Sequence, residues 1–236
     1  MITLSDFKNL LIKKCIVVFS PKVVKKVRRG KLSYLDHRAL FELYQVILKL
    51  EKQQLQGIFI EAGCALGGSA IVIANAKKKT RPFFIYDVFG MIPSPSKDDG
   101  EDAHRRYAEI KSGSSVGIKS ETYYGYEEDL LKCVKNNFKD FNIDIGKENI
   151  HLIKGLYQNT LDVSQPVVFA HIDADWYDSV LICLQKIVPN LVSGGVLVID
   201  DYQDWDGCKR AVDTYFENIR DDFAFIQKSR LHITRK

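Results

Sequence analysis

Gly57-Ile58-Phe59-Ile60-Glu61-Ala62-Gly63-Cys64-Ala65-Leu66-Gly67-Gly68-Ser69 passes from an unbroken apolar run through an acid into glycines. A short apolar run stopped by glycine reads as a strand buried on both faces, which places it in a parallel sheet covered by helices. Residues 67–79 continue as a helix, with Ser69 near its start and lysines in its last turn, where cations suit the helix dipole. Strand, glycine turn and helix together are the unit from which α/β folds are built.

The unit recurs. Residues 82–87 form a second apolar run closing on Asp87, and residues 150–154 a third. Residues 167–173 form a fourth, closing on Asp173, and residues 195–200 a fifth, closing on Asp200 with Asp201 next. Residues 127–138, 175–188 and 208–218 read as helices, the second stopped by Pro189; residues 223–226 and 231–234 read as a closing hairpin. The expected fold is α/β and Rossmann-like: a mostly parallel seven-stranded sheet with an antiparallel last strand and helices on both faces. Such sheets bind ligands beyond the carboxyl ends of their strands. Glu61, Asp87, Asp173, Asp200 and Asp201 stand at those ends, so acids far apart in the chain are expected at one crevice.

The chemistry follows from those acids. The first glycine turn lacks the GxGxxG that seats a pyrophosphate on a helix N-terminus, which speaks against a nicotinamide dinucleotide. A carboxylate at the strand end repels phosphate but suits an amino group or a sulfonium. S-adenosylmethionine carries both, so Glu61, Gly63 and Ser69 read as its seat. Asp87 could accept two hydrogen bonds from its ribose, or serve as a helix cap or loop acid. Asp173, Asp200 and Asp201 would repel one another unless a cation sat between them. Oxygen ligands suit Mg²⁺, Mn²⁺ or Ca²⁺. Such an ion lowers the pKa of an alcohol and fixes its position, and Asp173 could take the proton. Asp175 reads as the cap of the helix that follows. His171, two residues before Asp173 and on the same strand face, reads as a base or a neighbour of the site, with a satisfied core histidine as the alternative; His104 is open in the same way.

Residues 88–126 contain two prolines, five glycines and four tyrosines, and are expected to be a lid or an acceptor-binding element rather than a disordered insertion. The rest of the 236-residue chain, 32–236, is expected to be one domain. Five cysteines without a CxxC argue against a disulfide framework or zinc site, and for a cytoplasmic setting. The N-terminus does not read as a signal peptide. Residues 1–31 hold nine Lys/Arg against one acid, a charge of +8; the net +4 leaves 4 − 8 = −4 for the remainder. Leu4, Phe7, Leu11, Cys15 and Val18 give this segment an apolar stripe. It could lie peripherally on an anionic membrane, or pack on the domain or on a second copy in a homo-oligomer. Nucleic acid is not an expected partner, because the body of the protein is acidic.

The segments EAGCALGGSA, YDVFGMIP, HIDADWYDS and GGVLVIDDYQDWDGCKRAVD, in this order, resemble the macrocin O-methyltransferase (TylF-like) family over residues 32–220. The resemblance implies a class I methyltransferase fold using S-adenosylmethionine and Mg²⁺ (or Mn²⁺) to methylate sugar hydroxyls. Its metal aspartates fall on Asp173, Asp200 and Asp201, the first being the base. Its cofactor segment falls on residues 61–69 and its ribose acid on Asp87. Where antibiotic-tailoring members read DSFEG and LDGDMY, this chain has Asp87-Val88-Phe89-Gly90-Met91 and Ile172-Asp173-Ala174-Asp175-Trp176-Tyr177. Both differences fall near the acceptor. The rivals are a catechol- or phenol-type O-methyltransferase, a nicotinamide-dependent oxidoreductase, and a non-catalytic glycan- or membrane-binding module.

Overall fold

A computed structural model describes residues 18–236. The apolar stripe at Leu4, Phe7, Leu11 and Cys15 lies outside the described residues. The chain opens with helix α1 (Lys22–Arg29) and helix α2 (His37–Gln53). It then alternates: β1 (Ile58–Ala62), α3 (Gly68–Ala76), β2 (Phe83–Asp87), α4 (Glu101–Lys111), α5 (Leu130–Asp140), β3 (Ile150–Lys154), a short α6 (Tyr157–Thr160) and β4 (Val167–Ile172). It closes with α7 (Tyr177–Ile187), β5 (Leu191–Ile199), α8 (Asp206–Phe216), β6 (Phe223–Gln227) and β7 (Leu231–Arg235).

The sheet runs β3-β2-β1-β4-β5-β7-β6. The first five strands are parallel, and β7 runs antiparallel to both β5 and β6. Every residue of β1 and β4 is buried, as continuous apolar strands in a covered parallel sheet must be. Strand alternation divides the core. Phe59, Phe83 and Phe169 face α2, α3 and α5, whereas Ile60, Ala170, Ile172 and Leu197 face α7 and α8. The chain lays down β1, β2 and β3 in one direction and then returns to β4 on the other side of β1. The crevice past β1 and β4 is therefore the point where strand order reverses, the place where such sheets bind ligands.

Three elements differ from the sequence reading. First, α1 and α2 precede the expected start of regular structure. The Asp36 side chain caps α2 by accepting from the Ala39 amide at 2.8 Å. In α1, Val23, Val24 and Val27 are buried against the core, so this part of the basic segment spends its apolar face on the domain. No helix among the described residues is long and apolar enough to cross a membrane. Second, the 88–126 segment carries an eleven-residue helix, α4, with Glu101 and Asp102 in its first turn and Lys111 in its last. Third, Asp175 does not cap the following helix. It takes a left-handed backbone (φ 54°), and α7 starts only at Tyr177.

Candidate active site

Gly63 opens the crevice. Its φ is +88°, and a Cβ there would lie 1.8 Å from the Asp173 carbonyl oxygen, so the β1 and β4 loops touch only because this residue has no side chain. Asp87, at the end of β2, braces the same turn. Its Oδ2 accepts from the Cys64 and Ala65 amides at 2.8 and 3.2 Å, and its Oδ1 from the Phe89 amide at 2.6 Å. Burial raises the Asp87 carboxyl, and the three backbone donors pull the other way. Gly63 and Asp87 line a cavity of about 500 Å³, whose far side is the first turns of α7 and residues 88–94.

A second cavity, of about 270 Å³, adjoins the first. It is walled by Tyr34, Arg106, Tyr123, Trp205 and Arg230. Ala65, Ile92, Tyr124, Asp173 and Asp175 line both cavities. Asp173 and Asp175 stand on that shared wall, and Asp201 lines the second cavity beside them. Asp173, Asp175 and Asp201 each offer an oxygen within 4.8 Å of the others. Asp173 and Asp175 are packed round by protein yet open to the cavities, and Asp201 is buried. Burial, then the neighbouring acids, push the Asp173 and Asp201 carboxyls well up; burial leads again at Asp175, which is raised to about 6. The Asp173 carboxylate takes no hydrogen bond from the described residues. Three oxygens crowded at like charge with no protein cation among them are a donor set suited to a divalent ion.

Asp200, read from the sequence as a third ligand with Asp173 and Asp201, also lines the second cavity and forms with His171 and Asp173 a second group whose ligand atoms lie within 4.8 Å of one another. Arg230 Nε donates to its Oδ1 at 2.8 Å, and His171 Nε2 stands 3.5 Å from the same oxygen. Burial pushes the Asp200 carboxyl up, but His171 and Arg230 outweigh it and hold it below its ordinary value. His171 and Glu61 are register partners on β4 and β1, and His171 Nδ1 meets Glu61 Oε1 at 2.8 Å. Burial alone would lower the His171 imidazole; contacts with Asp200 and Glu61 overcome it and raise it to about 9. A chain of alternating charge, Glu61–His171–Asp200–Arg230, thus runs beneath the crevice to the wall of the second cavity.

Glu61 and His171 are fully buried and line neither cavity. Glu61 Oε2 is sealed from solvent without a hydrogen bond of good geometry, though the Ser69 hydroxyl beside the carboxyl opposes the upward push of burial. Ser69 is itself buried in α3. The structure therefore brings Gly63, Asp87, Asp173 and Asp201 to the crevice and places Glu61, Ser69 and His171 just behind it. Three participants were missed in the sequence: Asp175, Arg230 and Trp205. Trp205 Nε1 donates to Asp175 Oδ1 at 3.0 Å, which holds that carboxylate toward the cluster. His104 is exposed on α4.

Comparison with known proteins gives concordant matches. The family model described as Macrocin-O-methyltransferase (TylF) matches residues 31–230. The demethyldecarbamoylnovobiocin O-methyltransferase of Streptomyces niveus is 24% identical over 206 residues, 84% of this chain and 73% of the relative. An 8-demethyl-8-(2,3-dimethoxy-alpha-L-rhamnosyl)-tetracenomycin-C 4'-O-methyltransferase of Streptomyces olivaceus is 26% identical over 165 residues, 67% of this chain and 58% of the relative. Among solved structures, the O-methyltransferase NovP superposes with a TM-score of 0.70 at 20% identity, covering 87% of this chain and 82% of that one.

Proposed function

The chain belongs to the macrocin O-methyltransferase (TylF) family and is an S-adenosylmethionine-dependent O-methyltransferase; from that premise we propose that it methylates a sugar hydroxyl, assisted by a divalent cation on Asp173, Asp175 and Asp201. The larger cavity suits the donor, and the smaller, aromatic cavity suits the acceptor. The observation that carries the reading is the wall they share. Donor and acceptor must meet in line at a near-attack distance, and Asp173 and Asp175 stand on that wall with Asp201 within reach of both.

Each residue then has a task. Asp87 Oδ1, which accepts only one backbone hydrogen bond, keeps capacity for a ribose hydroxyl. Glu61 Oε2 has the unmet acceptor capacity that the donor's amino group, or a water bound to it, would satisfy. The cation, when bound, acidifies and orients the acceptor hydroxyl. Asp173 is the carboxylate placed to take the hydroxyl proton, because it lines both cavities and has no competing hydrogen bond. His171 reaches neither cavity; it acts as a positioning residue that, with Arg230, fixes Asp200 beside the cluster. Tyr34, Tyr123, Tyr124 and Trp205 give the acceptor cavity rings on which a sugar face stacks. A sugar acceptor also fits the rhamnosyl substrate named for the Streptomyces olivaceus relative.

Calorimetry with S-adenosylmethionine, in EDTA and then in Mg²⁺, tests the reading. Donor binding in both conditions, with methyl transfer to glycosides only in Mg²⁺, is expected. Asp201→Asn is expected to abolish the metal-dependent turnover while donor binding survives. No donor binding in either condition, or an unchanged turnover in Asp201→Asn, would refute the proposal.

A further inference from the structure

Helix α7 begins at one wall of the donor cavity, directly after the Asp173-Ala174-Asp175-Trp176 loop, and brings no cap of its own. Trp176 stands at its N-cap and offers no side-chain acceptor. Asp175, the acid that precedes the helix, is turned the other way by its left-handed backbone and held there by Trp205, and Asp178 in the first turn makes no capping hydrogen bond among the described residues. The first turn of a helix leaves amides unsatisfied, and a buried one must find a partner. Here the partner comes from 78 residues upstream: the Tyr177 amide donates to Asp99 Oδ1 at 2.7 Å.

Asp99 belongs to the 88–126 segment and is buried. Its Oδ2 accepts from the Ser96 amide at 2.9 Å, which folds the segment back on itself. It also lies against the start of α8: a Cβ on Gly207 would come within 2.2 Å of Asp99 Oδ1, so the approach depends on glycine there. One carboxylate therefore sits between the N-termini of two helices, where both dipoles favour its charge. A second tie lies beside it, from Trp176 Nε1 to the Pro93 carbonyl at 2.9 Å.

We propose that Asp99 is a positioning residue that latches the 88–126 segment onto the first turns of α7 and α8, and so holds the donor cavity and the acid cluster in register. Residues 88–94 and the first turns of α7, which the latch joins, form facing parts of the donor cavity. The same contact frees Asp175: because the cap comes from the lid, the acid next to the helix is available to the cluster. Closing the lid and assembling the acids are then one event.

The test uses the full chain as wild type, Asp99→Ala and Asp99→Asn. It reads S-adenosylhomocysteine affinity by calorimetry in EDTA, trypsin cleavage at Lys97, Arg105 and Arg106 by mass spectrometry, and melting temperature. This rests on the donor reading only for its first probe. Asp99→Ala is expected to weaken S-adenosylhomocysteine roughly five-fold or more and to speed cleavage at those three sites by a similar factor, the size of a lost cap. Asp99→Asn keeps an oxygen for Tyr177 but sets its amide nitrogen against the Ser96 amide, and is expected to lose clearly less than Asp99→Ala. Wild-type affinity and cleavage in Asp99→Ala would overturn the proposal. So would cleavage spread evenly along the chain, or an equal loss in Asp99→Asn, either of which marks a general folding defect. Failure of the wild type to bind S-adenosylhomocysteine would sink the donor reading instead, and the cleavage rates would still decide the latch.

Discussion

At the scale of single residues, His171 fits the second of its two sequence readings, a buried histidine with partners. As a base it would need to reach the acceptor; the structure seals it between two carboxylates, which favour its charged form. Its imidazole titrates near 9 when folded and near its ordinary 6.5 when unfolded. A raised folded value means the stabilisation is fully present below about 6.5 and is lost as pH rises through 9. The size is on the order of 3 kcal/mol. Lys77 titrates in the same range with the opposite sign, burial having lowered it to about 8, so it must be subtracted. Denaturant unfolding of wild type and His171→Gln between pH 6 and 10 does this. The difference between the two proteins is expected to shrink steadily above pH 6.5; a constant difference would show that His171 is neutral in the fold. Strand alternation correctly put His171 and Asp173 on one face. It could not show that Glu61, 110 residues away, stands opposite His171 and takes it out of reach of the crevice.

At the scale of elements, what could be read depended on how local the signal was. Strands β1, β2, β4 and β5 announce themselves as apolar runs ending in acids, because both-face burial leaves no room for polar alternation. Helix α2 carried an equally local signal that went unread: Asp36 as a cap, then Ala39, Leu40, Leu43, Val46, Ile47 and Leu50 at helical spacing, all buried. Replacing Asp36 with alanine is expected to cost about 1 kcal/mol, the usual worth of such a cap. Equilibrium urea unfolding would show it as a lowered midpoint at unchanged slope, and no shift would mean the Ala39 amide finds another partner. Helix α4 was legible only at its ends, in Gly100, the two acids after it and Gly113, because only Ala103 and Ile110 among its residues are buried. The cap of α7 was not legible at all. Nearness in sequence favoured Asp175, whereas the acceptor is Asp99, brought from the lid by tertiary contact.

At the scale of the whole molecule, the fold and the site answer to one constraint. The strand order reverses between β1 and β4, which leaves a gap past their carboxyl ends; the glycine turn, the brace from Asp87 and the 88–126 segment shape that gap into two adjoining cavities. The gathering of strand-end acids followed from sequence, since a parallel sheet places all its carboxyl ends on one edge. The partition among those acids did not. Arg230, from the C-terminal strand hairpin, and His171 contact Asp200, so Asp173 stands between two groups of ligand atoms, one with His171 and Asp200 and one with Asp175 and Asp201. A crystal of the protein grown with S-adenosylhomocysteine and Mn²⁺ would test the account most directly. The expected result is an anomalous manganese peak bonded to Asp173, Asp175 and Asp201, with the nucleoside lying along Asp87 in the larger cavity. A peak bonded to Asp200 in place of Asp175, or a nucleoside seated in the smaller cavity against Tyr34 and Arg106, would contradict it.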